Sequence, residues 1–241
     1  MTPLLELSAV VKDYRGLRPL RIERLVVEPG EQLALLGFDR MTAELFVNLV
    51  TGAALPDAGD VRLFGSSTSS ITDSAEWMRV VDRFGIVSER AVLLDGLSVI
   101  QNLAVPFTLE IEPPSAAVRA QAAALAAEVG LPSEICERRV GELDGAARTR
   151  VRLGRALALK PSIVLLEHPS AAVARDAIGL IARDIQRVIA GRNAAALTLT
   201  ADPEFARAVA RRVLTLQPAT GELSEPRPGW LARLAKMARH G

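Results

Sequence analysis

Short apolar runs interleaved with stretches of helical spacing constrain this chain more than any other feature. "QLALL" at 32–36 and "SIVLL" at 162–166 are apolar without alternation, as in strands buried on both faces. "FGIVS", "AAALTLT" and "RRVLTL" add further strands, and "QPATGEL" reads as a hairpin that closes the series. Between them the spacing predicts helices over 42–50, from 74, over 113–139 with Ser115 as cap, over 145–159, over 172–190 and from Pro203. Upstream, "LLELSAVVKDY" and "LRIERLVVEPGE" alternate apolar and polar residues, as half-buried strands do. The reading is α/β: a mostly parallel sheet, an N-terminal antiparallel β portion and a helical subdomain at about 98–159.

A chain of 241 residues is long enough for one large core, and we expect a single domain over 1–241. A net charge of +1 gives no reason to expect nucleic acid as partner. The one cysteine, Cys136, excludes an internal disulfide framework and suits a reducing, cytoplasmic compartment; it reads as a small buried hydrophobe. The start, "MTPLLELSAVVKDYRG", lacks the basic opening of a secretory signal. No uncharged apolar run is long enough to cross a bilayer, so a link to a membrane is expected through a partner. "PGWLARLAKMARHG" predicts a short amphipathic helix at about 228–240, with Trp230, Leu231, Leu234 and Met237 on one face.

The stretch "LLGFDRMTAELFVNLVTG" joins a buried strand to an amphipathic helix through a loop that starts with Gly37. Asn48, Thr51 and Gly52 follow at fixed spacing, and Tyr14 lies 23 residues before Gly37. Together with "RFGIVSERAVLLDGLSVIQNLAVPF", "ELDGAARTRVRLGRALALKP", "IVLLEHPSAAVA" and "LTLTADPEFARAVARRVLTL", this order resembles the nucleotide-binding subunit of an ABC transporter. The resemblance spans nearly the whole chain and implies a P-loop NTPase-like fold.

It also shows where the chemical positions stand. Tyr14 matches the aromatic residue that stacks on adenine, and Gly37 the first loop glycine. The other loop glycines fall at Arg40 and Thr42, the lysine at Ala43, and the magnesium-binding hydroxyl at Glu44, followed by Leu45. Glu89 replaces the glutamine that senses magnesium and touches the membrane partner. The signature segment reads Asp144, Gly145, Ala146, Ala147, with only Gly145 kept. Glu167 and His168 stand for the metal-water aspartate and the glutamate base, and Ala201 for the γ-phosphate histidine.

A phosphate-binding loop works because glycines let successive N–H groups face the anion while a lysine offsets its charge. Glu44 instead places a carboxylate beside a triphosphate, at a cost of about 4 kcal/mol for one like-charge contact near 4 Å at an effective dielectric of about 20. That is nearly three decades of affinity, by the usual ~1.4 kcal/mol per decade.

The resemblance thus implies ATP and Mg2+ as ligands, with binding weakened, and Glu167 and Glu89 as the carboxylates left for a metal. It implies a membrane permease as partner, with Leu93, Leu94, Leu97, Val99 and Phe107 as docking candidates, at the cytoplasmic face of the membrane. Hydrolysis in the family needs two subunits face to face, so a homodimer or a pair with an active ATPase is implied. Three readings follow: a catalytically degenerate ATPase subunit; a divergent ATPase using Arg40, Glu167 and His168; and a soluble interaction module that kept the fold.

Overall fold

The computed structural model describes residues 2–16 and 18–225. The amphipathic helix expected at about 228–240 lies outside them. In chain order the elements are β1 (Leu5–Lys12), β2 (Leu20–Val27), β3 (Gln32–Leu36), α1 (Arg40–Val50), β4 (Ala58–Leu63), β5 (Ser66–Ser67), α2 (Ser74–Val81) and β6 (Phe84–Val87). They continue as α3 (Val99–Ala104), α4 (Ala116–Glu128), α5 (Gly145–Leu157), β7 (Ile163–Glu167), α6 (Ile178–Gly191), β8 (Ala195–Thr200), α7 (Pro203–Val209), β9 (Arg212–Gln217) and β10 (Glu222–Ser224).

Two sheets form. One is antiparallel, in the order β2-β1-β4-β5; the other runs β10-β9-β3-β8-β7-β6 and is parallel except for β10. The α/β class with an N-terminal antiparallel portion is therefore the observed one. Alternation along β3 explains the layering: Leu33 and Leu35 join a core with α1 and the antiparallel sheet, while Ala34 and Leu36 face α3 to α7. The larger sheet is covered on both faces, as its unbroken apolar runs require. Its five parallel strands all point one way, so the ends of β3, β6, β7 and β8 gather along one edge, where α/β proteins bind their ligands.

Several element boundaries differ from the sequence expectation, each for a local reason. Helix α1 starts at Arg40 rather than Thr42, because the Asp39 side chain caps it. Helix α4 stops at Glu128, short of 139, where Gly130 turns the chain at φ 76 and Pro132 follows. Residues 172–177 are not helical as expected: a loop and a 3-10 turn, Arg175–Ala177, precede α6. Cys136 is half-buried against the core rather than inside it, and its partial burial pushes the thiol pKa up. No helix of the described residues is long and apolar enough to cross a membrane.

Candidate functional site

The loop after β3 is only three residues long, Gly37 to Asp39. Gly37 has φ 96, which a side chain would resist, and its N–H donates to the Thr200 carbonyl at 3.1 Å. Phe38 is fully buried and meets Phe46 edge-on, with ring centroids 5.6 Å apart. Asp39 then turns its carboxylate onto α1: Oδ1 accepts from the Thr42 N–H at 2.8 Å and from the Thr42 hydroxyl at 2.7 Å. Those bonds hold the Asp39 carboxyl below the ordinary carboxylate range.

The positions that the resemblance assigns to phosphate binding thus lie in the first turn of α1, beside the Asp39 carboxylate that caps it. Ala43, at the lysine position, is fully buried in the core beneath α1, while Leu45 lies half-buried against the same core. Arg40 points away from the helix start and pairs with Glu89 at 3.0 Å, its side chain 74% exposed.

The centre of the site is an ion-pair cluster around Arg90, a residue to which the family resemblance gives no role. Its Nε and Nη2 donate to the two oxygens of Glu167, at 3.1 and 2.5 Å, and Nη1 donates to Glu44 Oε1 at 3.1 Å. The Ser88 hydroxyl donates to Glu167 Oε2 at 3.0 Å. Hydrogen bonding to Glu167 raises the Arg90 pKa further, with the charges of Glu167 and Glu44 adding to it. Arg90 brings Glu44 and Glu167 together, Glu89 pairs separately with Arg40, and each of the three carboxylates thus already holds an arginine. Nothing periodic in the sequence points to Arg90, whose partners lie 46 and 77 positions away. Asp39, also without a role in the sequence reading, did leave a signal, since an aspartate three residues before Thr42 is a helix-cap pattern.

His168 follows β7 in a left-handed conformation, φ 45, with its N–H donating to the Leu199 carbonyl at 2.9 Å. Its Nε2 is buried without a partner, as is Nε of Arg152. Both residues line a cavity of about 10 Å³ with Ser88, Glu89, Thr149 and Glu167, the space of roughly one water. Mg2+ usually keeps several waters and needs octahedral oxygen ligands, so this cavity does not fit a hydrated magnesium ion. Among the described residues, no three His, Cys, Asp or Glu side chains are grouped to hold a metal.

The remaining candidates lie around this centre. Tyr14 is half-buried and lines a cleft of about 280 Å³ with Arg18, Arg21, Gly37, Asp39 and Thr42. Burial raises its hydroxyl pKa, and the charge of Asp39 adds to that. Ala201 is exposed and lines a separate cleft of about 700 Å³ with His168, Arg175 and Arg207.

In the signature-like segment Asp144 caps α5, its Oδ1 accepting from the Ala147 N–H at 2.7 Å. Ala146 and Ala147 pack against the helical core. Leu93 and Val99, expected at a docking face, are instead core residues, 5% and 0% exposed, because Leu93 and the first residue of α3, Val99, both pack into the core on the helical side of the sheet. Leu94 stays exposed, Leu97 and Phe107 are half-buried, and a groove of about 300 Å³ opens nearby between Ile86, Val105, Pro106, Arg155 and Leu159.

Residues 22–171 match the family model described as ABC transporter. The chain is 28% identical over 228 residues to the ABC transporter ATP-binding protein YxdL of Bacillus subtilis, covering 92% of this chain and 86% of that protein. It is 31% identical over 201 residues to the lipoprotein-releasing system ATP-binding protein LolD of Chromohalobacter salexigens, covering 83% of each. Among solved structures, cbiO1 from Clostridium perfringens, part of the transporter complex cbiONQ, superposes with a TM-score of 0.79 at 15% identity, covering 100% of this chain and 94% of that one. The cassette MJ0796 bound to ADP and Pi gives 0.72 at 20% identity, covering 92% of this chain and 99% of that one.

Proposed function

This chain belongs to the ABC transporter family, and from that premise we propose that it is a catalytically degenerate ATP-binding subunit. In this reading it docks on a membrane permease as a structural or regulatory partner and turns over little or no ATP. Members of the family bind ATP and Mg2+, dimerise and work with membrane permeases; the proposal concerns what this member has given up.

The observation that carries it is the start of α1. Asp39 already occupies the N–H and hydroxyl of Thr42, and the helix begins three residues after Gly37. A triphosphate would have to displace that carboxylate and then meet Glu44, whose charge Arg90 already holds, with no lysine at position 43 for its own charge. The Asp144 cap repeats the arrangement at α5, where the family presents its signature to the partner subunit's nucleotide.

As a pseudo-ATPase the chain would sit at the cytoplasmic face of the membrane, as a homodimer or beside an active ATPase. Residues 1–241 would act as one domain, with the helical part at about 98–159 facing the permease. The groove between Ile86, Val105, Pro106 and Leu159 supports that placement, since it is mostly apolar, with Arg152 and Arg155 also lining it, and lies where this part meets β6.

Calorimetry of Mg-ATP against the full chain tests the proposal. We expect no binding heat at millimolar nucleotide; a micromolar dissociation constant that weakens in Arg40→Ala would overturn it. A second reading, a divergent ATPase with His168 as base, draws on the unpartnered Nε2 beside Glu167. Measurable turnover abolished in His168→Ala would favour it.

A further inference from the structure

We infer that the Arg90 guanidinium is the resident cation of this site, standing in for the divalent metal that its relatives bind. The inference rests on the degenerate-site reading for its positions: Glu44 and Glu167 occupy the places where the family holds its metal. Both are carboxylates here, and a single guanidinium joins them.

The geometry supports a permanent occupant. A two-point contact between guanidinium and carboxylate is among the strongest ion-pair forms, and Arg90 makes one with Glu167 at 2.5 and 3.1 Å. The Glu167 side chain is only 7% exposed, so its charge needs a fixed partner. The third arm reaches Glu44 at 3.1 Å, and the Arg90 N–H donates to Ser88 Oγ at 3.1 Å, which holds the backbone in place for the reach.

Glu44, Glu89 and Glu167 face Arg40 and Arg90. Removing Arg90 leaves Glu44 and Glu167 with the Ser88 hydroxyl, an oxygen set of the kind that takes Mg2+ or Mn2+.

A consequence for the partner follows. Arg90 ties the loop after β6 to the ends of α1 and β7, and that loop leads into the part facing the proposed permease groove. Because the cation is part of the chain, the link needs no bound metal, and the loop keeps one position whatever the nucleotide state.

The test is Mn2+ binding by electron paramagnetic resonance on the full chain, with melting curves beside it. We expect wild type to bind no Mn2+ at submillimolar concentration. Arg90→Ala should melt at least about 5 °C lower, bind Mn2+ at least about tenfold more tightly than wild type, and regain melting temperature when Mn2+ is added. Adding Glu167→Gln to that variant should abolish the gained binding.

If Arg90→Ala does not fold, Arg90→Lys serves: it keeps the charge without the fork, and should melt lower than wild type while still excluding Mn2+. Stoichiometric Mn2+ binding by wild type overturns the inference, as does an Arg90→Ala or Arg90→Lys protein that melts with wild type. ATP turnover is read separately. Turnover by a wild type that still excludes free Mn2+ would sink the degenerate-subunit reading and leave the resident cation standing; Mn2+ binding without ATP binding would do the reverse.

Discussion

Gly145, which the resemblance sets in the signature segment, meets a close neighbour within this chain. A Cβ built on it would lie 1.7 Å from the Ala172 carbonyl oxygen and 2.5 Å from its carbon, both backbone atoms that cannot swing aside. The glycine is thus required by packing of the α5 start against the loop after β7, whether or not a partner's phosphate ever approaches it. Gly145→Ala should destabilise the fold by about 3 kcal/mol, the upper range for overpacking, and lower the melting temperature by roughly 6–12 °C. Melting of the purified variant checks this. A variant that melts with wild type would mean that the loop yields easily and that Gly145 is kept for another reason. The same contact accounts for the missing helix at 172–177: Ala172 must present its carbonyl to α5, and Ala174 is extended at ψ 142.

At the scale of elements, what the sequence revealed and what it hid divide along physical lines. The strands were legible because burial on two faces leaves unbroken apolar runs, as in β3 and β7, and burial on one leaves alternation, as in β1 and β2. Helix ends were legible only where a local signal set them: Ser115 caps α4 as expected, while the stop at Glu128 depended on Gly130 taking a left-handed turn. The residues that the resemblance sets at Ala43, Glu44 and Ala201 could be read position by position. The ion pairs of Arg90 could not, since a contact across 77 positions leaves no periodic trace.

The α1 cap makes a testable element. Because Thr42 bonds hold the Asp39 pKa below its unfolded value, the carboxylate contributes stability that is full above about pH 4 and is lost as pH falls through the folded pKa. Asp39→Ala should cost about 1 kcal/mol at neutral pH, and that difference should shrink on acidification. Asp39→Asn should keep much of the cap and remove this part of the pH dependence. Urea melts from pH 7 to pH 3 provide the measurement, and a pH-independent cost of Asp39→Ala would rule out the charged cap.

At the scale of the whole molecule, the sheet separates two clusters of ion pairs at its opposite edges. Arg90, Glu44 and Glu167 lie where the parallel strands end. Arg192 lies where β7 and β8 begin, its guanidinium on both oxygens of Glu128 at 2.6 and 2.5 Å and on the Leu157 carbonyl at 3.0 Å, so it joins the ends of α4, α5 and α6. The Glu128 hydrogen bonds raise the Arg192 pKa, so the guanidinium stays charged across the working range.

Losing this link leaves a helix-end carbonyl and a partly buried carboxylate without their partner, so Arg192→Ala should cost about 2 kcal/mol, with Arg192→Lys recovering only part. The two edges are a strand length apart, about 17 Å for the five residues of β7, beyond the range at which mutational effects usually couple. The double variant Arg90→Ala, Arg192→Ala should therefore lose the sum of the single losses within about 0.5 kcal/mol in denaturant melts. A larger deviation would mean that the sheet transmits strain from one edge to the other. The loop after β6 would then respond to the far ends of the helices as well as to Arg90.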